Sequence, residues 1–223
     1  MIEKSPENNT KKQIGEGYEK RVYEDPNNKD RVIAKFHEYI DETPNQIKAK
    51  YYLTKILHFL FPKNIPDMHW AGSEPNAYQV DKVEVDERHR DILKYADLAD
   101  EAYRKKMIGE AVDMSRKNFE LQDTVVSDED VVELGEKIEK LGIRSLDKSA
   151  LNFTKDNEGN VMYLDSLYAW KLKYDGSPFL FFNFGKLENA INSLPENNKK
   201  TATNFLQRLK ELYEEERDKN IKA

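Results

Sequence analysis

One short ribbon interrupts the otherwise helical second half of this chain, and it fixes which side chains must meet. Asn152 to Lys155 and Val161 to Leu164 read as two strands about the turn Asp156-Asn157-Glu158-Gly159-Asn160. A ribbon folds back on itself, so its two ends are neighbours. Asn152 opens it and Asp165 closes it, which predicts that an amide and a carboxylate share one place. Asp147 stands five residues before Asn152, in a loop directly after a helix.

The elements on either side set the fold class. Tyr18 to Glu24 and Arg31 to Phe36 read as strands around Asp25-Pro26-Asn27-Asn28-Lys29-Asp30. Thr43-Pro44 offers a hydroxyl cap followed by proline at the first helical position, and the helix should stop near Leu60, before Pro62. Ile47, Tyr51, Thr54 and Leu57 recur at helical spacing along it. Met68 to Gly72 and Ala77 to Val85 read as a further strand pair. The composition then turns helical over residues 91–120, without proline. Ser127 with Asp130 resembles a capping box, Val131, Leu134, Ile138 and Leu141 make the buried stripe of the next helix, and Gly142 is its stop. After the ribbon come an aromatic loop, Tyr168 to Phe184, and helices around residues 186–192 and 201–217. Strands first and helices afterwards predict an α+β fold in two lobes. The expected division is a loose tail over 1–12, a β-rich lobe over 13–85 and a helical lobe over 86–223.

Bulk properties remove several function classes. The net charge of -6 argues against a general nucleic-acid binder, which needs excess Lys and Arg against phosphates. There is no cysteine, hence no disulfide framework and no thiolate metal site. The start of the chain lacks an apolar signal core, and no apolar run is long enough to span a bilayer. A cytoplasmic protein without membrane or nucleic-acid partners is the expectation. With 12 Tyr, 10 Phe and 2 Trp, a hydrophobic fraction of 38% still supplies a core.

The chemistry concentrates in three places. Gly15-Glu16-Gly17 precedes a strand, and glycine lets backbone approach phosphates closely; taken alone it reads first as an ordinary tight strand entry. The place where such loops carry a third glycine holds Lys20, which with Arg21 would either attract phosphate or simply be solvated. Lys35 ends the run Val32-Ile33-Ala34 and shares a strand face with Ile33; covered there, its ammonium needs an anion such as a phosphate, and at a strand end it would reach water instead. Asn152 and Asp165 are hard oxygen donors suited to Mg²⁺, and Asp147 could orient or deprotonate a hydroxyl.

Taken in order, these pieces resemble the protein-kinase-like fold, which includes the aminoglycoside and choline phosphotransferases. The resemblance covers about residues 13–170 and lies in the joint order of the motifs. It implies that Gly15, Gly17 and Val22 cover the phosphates of ATP, and that Lys35 is the strand lysine contacting them. It implies that Val83 to Val85 meet adenine, that Asn152 and Asp165 hold Mg²⁺, and that Asp147 is the catalytic-loop aspartate. The expected activity is ATP- and Mg²⁺-dependent phosphoryl transfer to a hydroxyl of a small molecule or protein. Several positions depart from the family pattern. Ser145-Leu146 precede Asp147 where His-Arg is usual, Ser166-Leu167 follow Asp165 where Phe-Gly is usual, and helix 44–60 has no glutamate for Lys35, with Gln46 inside it and Glu38 and Glu42 just before. Only 58 residues follow Asp165. A pseudokinase, serving as a nucleotide-binding or interaction module, is therefore the alternative, and an unrelated α+β interaction domain the third. His89-Arg90-Asp91 spells the catalytic triplet, but Ala96 and Gly109 stand where its metal ligands would be, which makes Asp91 a surface or cap residue.

Overall fold

The computed structural model describes residues 12–16, 19–37, 42–71, 76–85, 87–174 and 176–221. The fold is α+β. Strands β1 (Gln13–Glu16), β2 (Lys20–Glu24), β3 (Arg31–Phe36), β4 (Met68–Trp70) and β5 (Ala77–Asp81) form one antiparallel sheet in the order β1-β2-β3-β5-β4. Helix α1 (Pro44–Leu60) lies between β3 and β4 in the chain. Its start is the capping box formed by Thr43 and Gln46: Gln46 N donates to Thr43 Oγ1 at 3.2 Å, and Thr43 N donates to Gln46 Oε1 at 2.8 Å. One sheet face packs on this helix through Ala34, Phe36, Met68, Tyr78 and Ile47.

The helical run divides where the sequence shows no proline or glycine. α2 (Glu87–Arg104) and α3 (Ile108–Val125) are joined by Lys105–Met107. Lys106 N donates to Tyr103 O, Met107 N donates to Ala102 O, and Lys106 takes φ 60°. That pair of bonds around a left-handed residue is a Schellman ending, here built on lysine instead of glycine. α4 (Asp128–Lys140) starts at the Ser127–Asp130 box, and Gly142 follows it at φ 83°. A side chain there would bring a Cβ to 2.8 Å from Asn183 Cβ.

Strands β6 (Phe153–Lys155) and β7 (Val161–Tyr163) form the expected ribbon. The aromatic stretch beyond it holds a second ribbon that the sequence reading leaves as loop: β8 (Trp170–Leu172) with β9 (Pro178–Leu180), turned at Gly176, φ 77°. α5 (Phe184–Asn192) and α6 (Glu196–Ile221) complete the chain. α6 packs along α1, where the rings of Tyr51, Tyr52 and Phe59 all meet Phe205. The main core joins α1, α4, α5, α6 and both ribbons through side chains such as Leu53, Ile138, Phe153, Trp170, Leu187 and Leu209. β5 ends at Asp81, earlier than expected; Lys82 N bonds Asp30 O at 2.9 Å and residues 82–85 are irregular. Among the described residues no helix is long and apolar enough to cross a membrane.

Candidate active site

The first ribbon positions the site. Phe153 pairs with Tyr163 at its base, and the two buried rings meet edge to face at 5.1 Å. Such a pair contributes about 0.5–1.5 kcal/mol beyond its buried area. The ladder runs one step further, with Leu164 N donating to Asn152 O at 2.8 Å, so Asp165 follows directly on the ribbon's last bond. Asn64, just after α1, locks the other edge: Tyr163 N donates to its carbonyl, and its Nδ2 donates to Val161 O, both at 2.8 Å.

Asn152 also holds the loop before it. Its N–H donates to Ser149 O at 2.9 Å, and its Nδ2 donates to Asp147 O at 3.4 Å. Asp147 is exposed, with Oδ1 accepting from Ser149 N at 2.9 Å. The Tyr163 hydroxyl is buried nearby; burial, and then the Asp165 charge, push its pKa up. Asp147, Asn152 and Asp165 are thus brought to one end of the ribbon.

The sheet answers with a lysine, from β2. Lys20 Nζ donates to Asp165 Oδ1 at 2.8 Å and lies 3.5 Å from the Tyr78 hydroxyl. Burial works against the charged form of Lys20, but Tyr78 and Asp165 outweigh it and hold its pKa well above the usual lysine value. Burial likewise works to raise the Asp165 pKa. The charge and hydrogen bond of Lys20, the Ser166 N–H and the Lys50 charge outweigh that and hold it below the ordinary carboxylate value.

Lys35 is not brought to this place. Directly paired residues share a sheet face, and successive residues alternate. Lys20 pairs with Phe36 and Ala34 with Tyr78, which puts Lys20, Ala34, Phe36 and Tyr78 on the α1 side. Lys35 pairs with Arg21 on the opposite face and is exposed. Val22 pairs with Ala34 on the Lys20 side, and Gly15 pairs with Val22. Gly17 lies outside the described residues. Val83 and Val85 are half-buried beyond β5. Val83 lines a cavity of about 350 Å³ together with His58, Asp67, Asp81 and Asp156, and neither Lys20 nor Asp147, Asn152 or Asp165 lines it. Asp91 sits exposed within α2.

A second lysine went unread in the sequence. Lys50 of α1 is 1% exposed and stands 2.7 Å from Glu42 Oε1 and 3.2 Å from Glu19 Oε2. Its ammonium also lies 4.8 Å from the centre of the Phe36 ring and 3.9 Å from that of Tyr168. Burial pushes the Glu42 pKa up although Lys50 pulls it down. Lys50 therefore ties α1 to the entry of β2 and to the segment after Asp165. Ser145 anchors the same segment by donating from Oγ to Tyr168 O at 2.8 Å. The available signal was spacing: Lys50 stands three residues from both Ile47 and Leu53, on the apolar face.

No protein-family model matches the chain, and no curated protein matches it in sequence.

Proposed function

We propose that the protein is an ATP- and Mg²⁺-dependent phosphotransferase of kinase-like, two-lobed form, with Lys20 in the role first expected of Lys35. The sheet and α1 make the smaller lobe, the helices and ribbons the larger, and residues 82–85 the strap between them. The observation that carries the reading is the 2.8 Å contact between Lys20 and Asp165, which joins an ammonium on the sheet to a carboxylate at the ribbon's end.

The donor set fits a hard cation. Asp165 is held ionised, and Asn152 spends its amide nitrogen on Asp147 O, which leaves the amide oxygen as its remaining ligand atom. Mg²⁺ bound by these two would neutralise charge on phosphate oxygens. Lys20 would turn from Asp165 to a phosphate oxygen, a trade of one anion for another. Asp147, exposed and with its loop pinned by Asn152, would accept the proton of an acceptor hydroxyl or orient it. Positioning and electrostatics supply most of the barrier lowering in such sites. The acceptor class is a small molecule or a protein bearing a hydroxyl.

A second reading, a pseudokinase, has its own support. α1 presents Lys50 where the resemblance leads one to expect a glutamate. Thermal-shift titration with ATP, with and without Mg²⁺, separates the cases. Stabilisation that requires Mg²⁺ supports the intact site; no response under either condition overturns both nucleotide readings. Phosphate release or autophosphorylation then divides enzyme from pseudokinase.

A further inference from the structure

We propose that Asp67, His69 and Asp81 form a binding site for a divalent transition metal of the zinc class, independent of the phosphotransferase reading. The three belong to the β4–β5 pair and its entry. Asp67 and His69 are two residues apart on an extended chain and share a face. Asp81 N donates to Asp67 O at 2.9 Å, which continues the ladder and sets Asp81 opposite Asp67 on that face. Backbone pairing, not loop conformation, therefore presents one imidazole and two carboxylates together.

The spacing suits one ion. His69 Nε2 is 2.9 Å from Asp81 Oδ1 and 3.6 Å from Asp67 Oδ2, and one ligand atom from each residue falls within a mutual 4.8 Å. Two ligands about 2.0–2.1 Å from a tetrahedral zinc stand about 3.3 Å apart, between the two observed distances. A hydrogen on Nε2 serves the nearer carboxylate and leaves the other beyond hydrogen-bond reach; a metal ion at that point serves both. Opposed carboxylates on paired strands repel, which makes a shared cation favourable there. Imidazole among the donors selects zinc-class metals over Mg²⁺ or Ca²⁺.

The surroundings already have the form of an outer shell. Lys55 Nζ donates to Asp67 Oδ1, leaving Oδ2 toward His69. Arg31 Nε lies 3.6 Å from Asp81 Oδ1. The Lys55 cation on the outer oxygen of Asp67 orients that carboxylate without occupying the position between the ligands, while Arg31 lies beside Asp81 Oδ1, the oxygen that also faces His69. Asp67 and Asp81 also line the 350 Å³ cavity, whose wall adds Glu84, Asp156 and Glu158 against Lys82. That excess of negative charge draws cations in, and the open volume leaves room for water or another small donor on the metal.

The experiment is calorimetric titration of the full chain, freed of metal by chelation, with Zn²⁺ alone and no nucleotide. Saturable one-to-one binding is expected, with a rise in Tm, and His69→Gln should weaken it at least tenfold. Asp81→Asn should do the same, so that one misfolded variant cannot decide the outcome; circular dichroism confirms the fold of each. Asp165→Asn, which strips the other candidate cation site, should leave zinc binding unchanged. Absence of binding in the parent overturns the proposal. So does equal binding by the parent and both folded variants, which would mean an adventitious surface ion.

Discussion

Lys20 faces Phe36 across the β2–β3 pairing, and this register decides which ammonium meets Asp165. Two residues after Ala34, on its own side of the sheet, the chain has Phe36. Lys35 falls between them and points the other way. Substituting the two lysines should therefore give unequal results. Lys20→Met removes a charged hydrogen bond of the class that contributes about 1.5–3 kcal/mol, and with side-chain exposure near 16% on the lysine that loss should be visible in urea unfolding. Metal-dependent ATP affinity should fall at least tenfold. Lys35→Met should stay within about 0.5 kcal/mol, as exposed substitutions do, with ATP affinity unchanged. Equal effects from the two variants would return the role to Lys35.

Lys50 makes a larger stability prediction. Removing one partner of a buried ion pair strands the other, at about 3–5 kcal/mol. Lys50→Met should cost that much in denaturant midpoint, because Glu42 is left almost fully buried beside it. Lys50→Met combined with Glu42→Gln should recover part of the loss, since the stranded charge is gone. A double variant as unstable as the sum of the singles would show that the pair is not coupled.

The sequence displayed what local chemistry sets and hid what pairing sets. α1 and α4 were legible because Thr43-Pro44 and Ser127–Asp130 state their starts in hydroxyls and acids close in the chain. The ribbon was legible because its turn carries Asp156, Asn157 and Gly159 together. The face of Lys35 depends on how β2 and β5 register against β3, which no local pattern fixes. The β8–β9 ribbon was legible on one strand only: Trp170-Lys171-Leu172-Lys173-Tyr174 alternates apolar with charged residues and runs into the turn pair Asp175-Gly176, whereas Pro178-Phe179-Leu180 opposite does not alternate and reads as part of an aromatic loop. Lys50 is within reach of helical periodicity, as a lysine on a buried stripe, but its carboxylate partners Glu42 and Glu19 lie outside α1, so no spacing within the helix announces the ion pair.

Acid should weaken one specific cap. Lys155 chiefly holds the Asp130 pKa below its ordinary value, with Ser127 adding to it against a smaller opposing effect of burial. A depressed folded-state pKa means the carboxylate stabilises the fold above its unfolded pKa, about 3.9. That contribution is lost as pH falls through the lower, folded value. The stability gap between parent and Asp130→Asn should thus be level near pH 7 and close below about pH 4. A gap that stays constant down to pH 2 would place the effect in packing rather than charge.

Lys106 pays for the α2–α3 turn. It holds φ 60° inside a Schellman ending, where a β-carbon is strained and glycine is not. Lys106→Gly should raise stability by about 0.5–1 kcal/mol, read as a higher Tm with unchanged helical circular dichroism. A loss instead would mean that the lysine side chain makes contacts worth more than the strain.

Asp147 is the sharpest test of the proposed chemistry, because its structural and catalytic contributions separate. The side chain is exposed, and its hydrogen bond from Ser149 N to Oδ1 can be kept by an amide oxygen. Asp147→Asn should therefore fold as the parent does and bind ATP·Mg²⁺ with similar affinity, since the proposed metal ligands are Asn152 and Asp165. Removing a general base typically costs about 10²–10⁴ in rate. Turnover should drop by that much with little change in KM for nucleotide. A variant with parental turnover would take Asp147 out of the mechanism, whereas one that also loses nucleotide would make it a ligand of the phosphates or their metal.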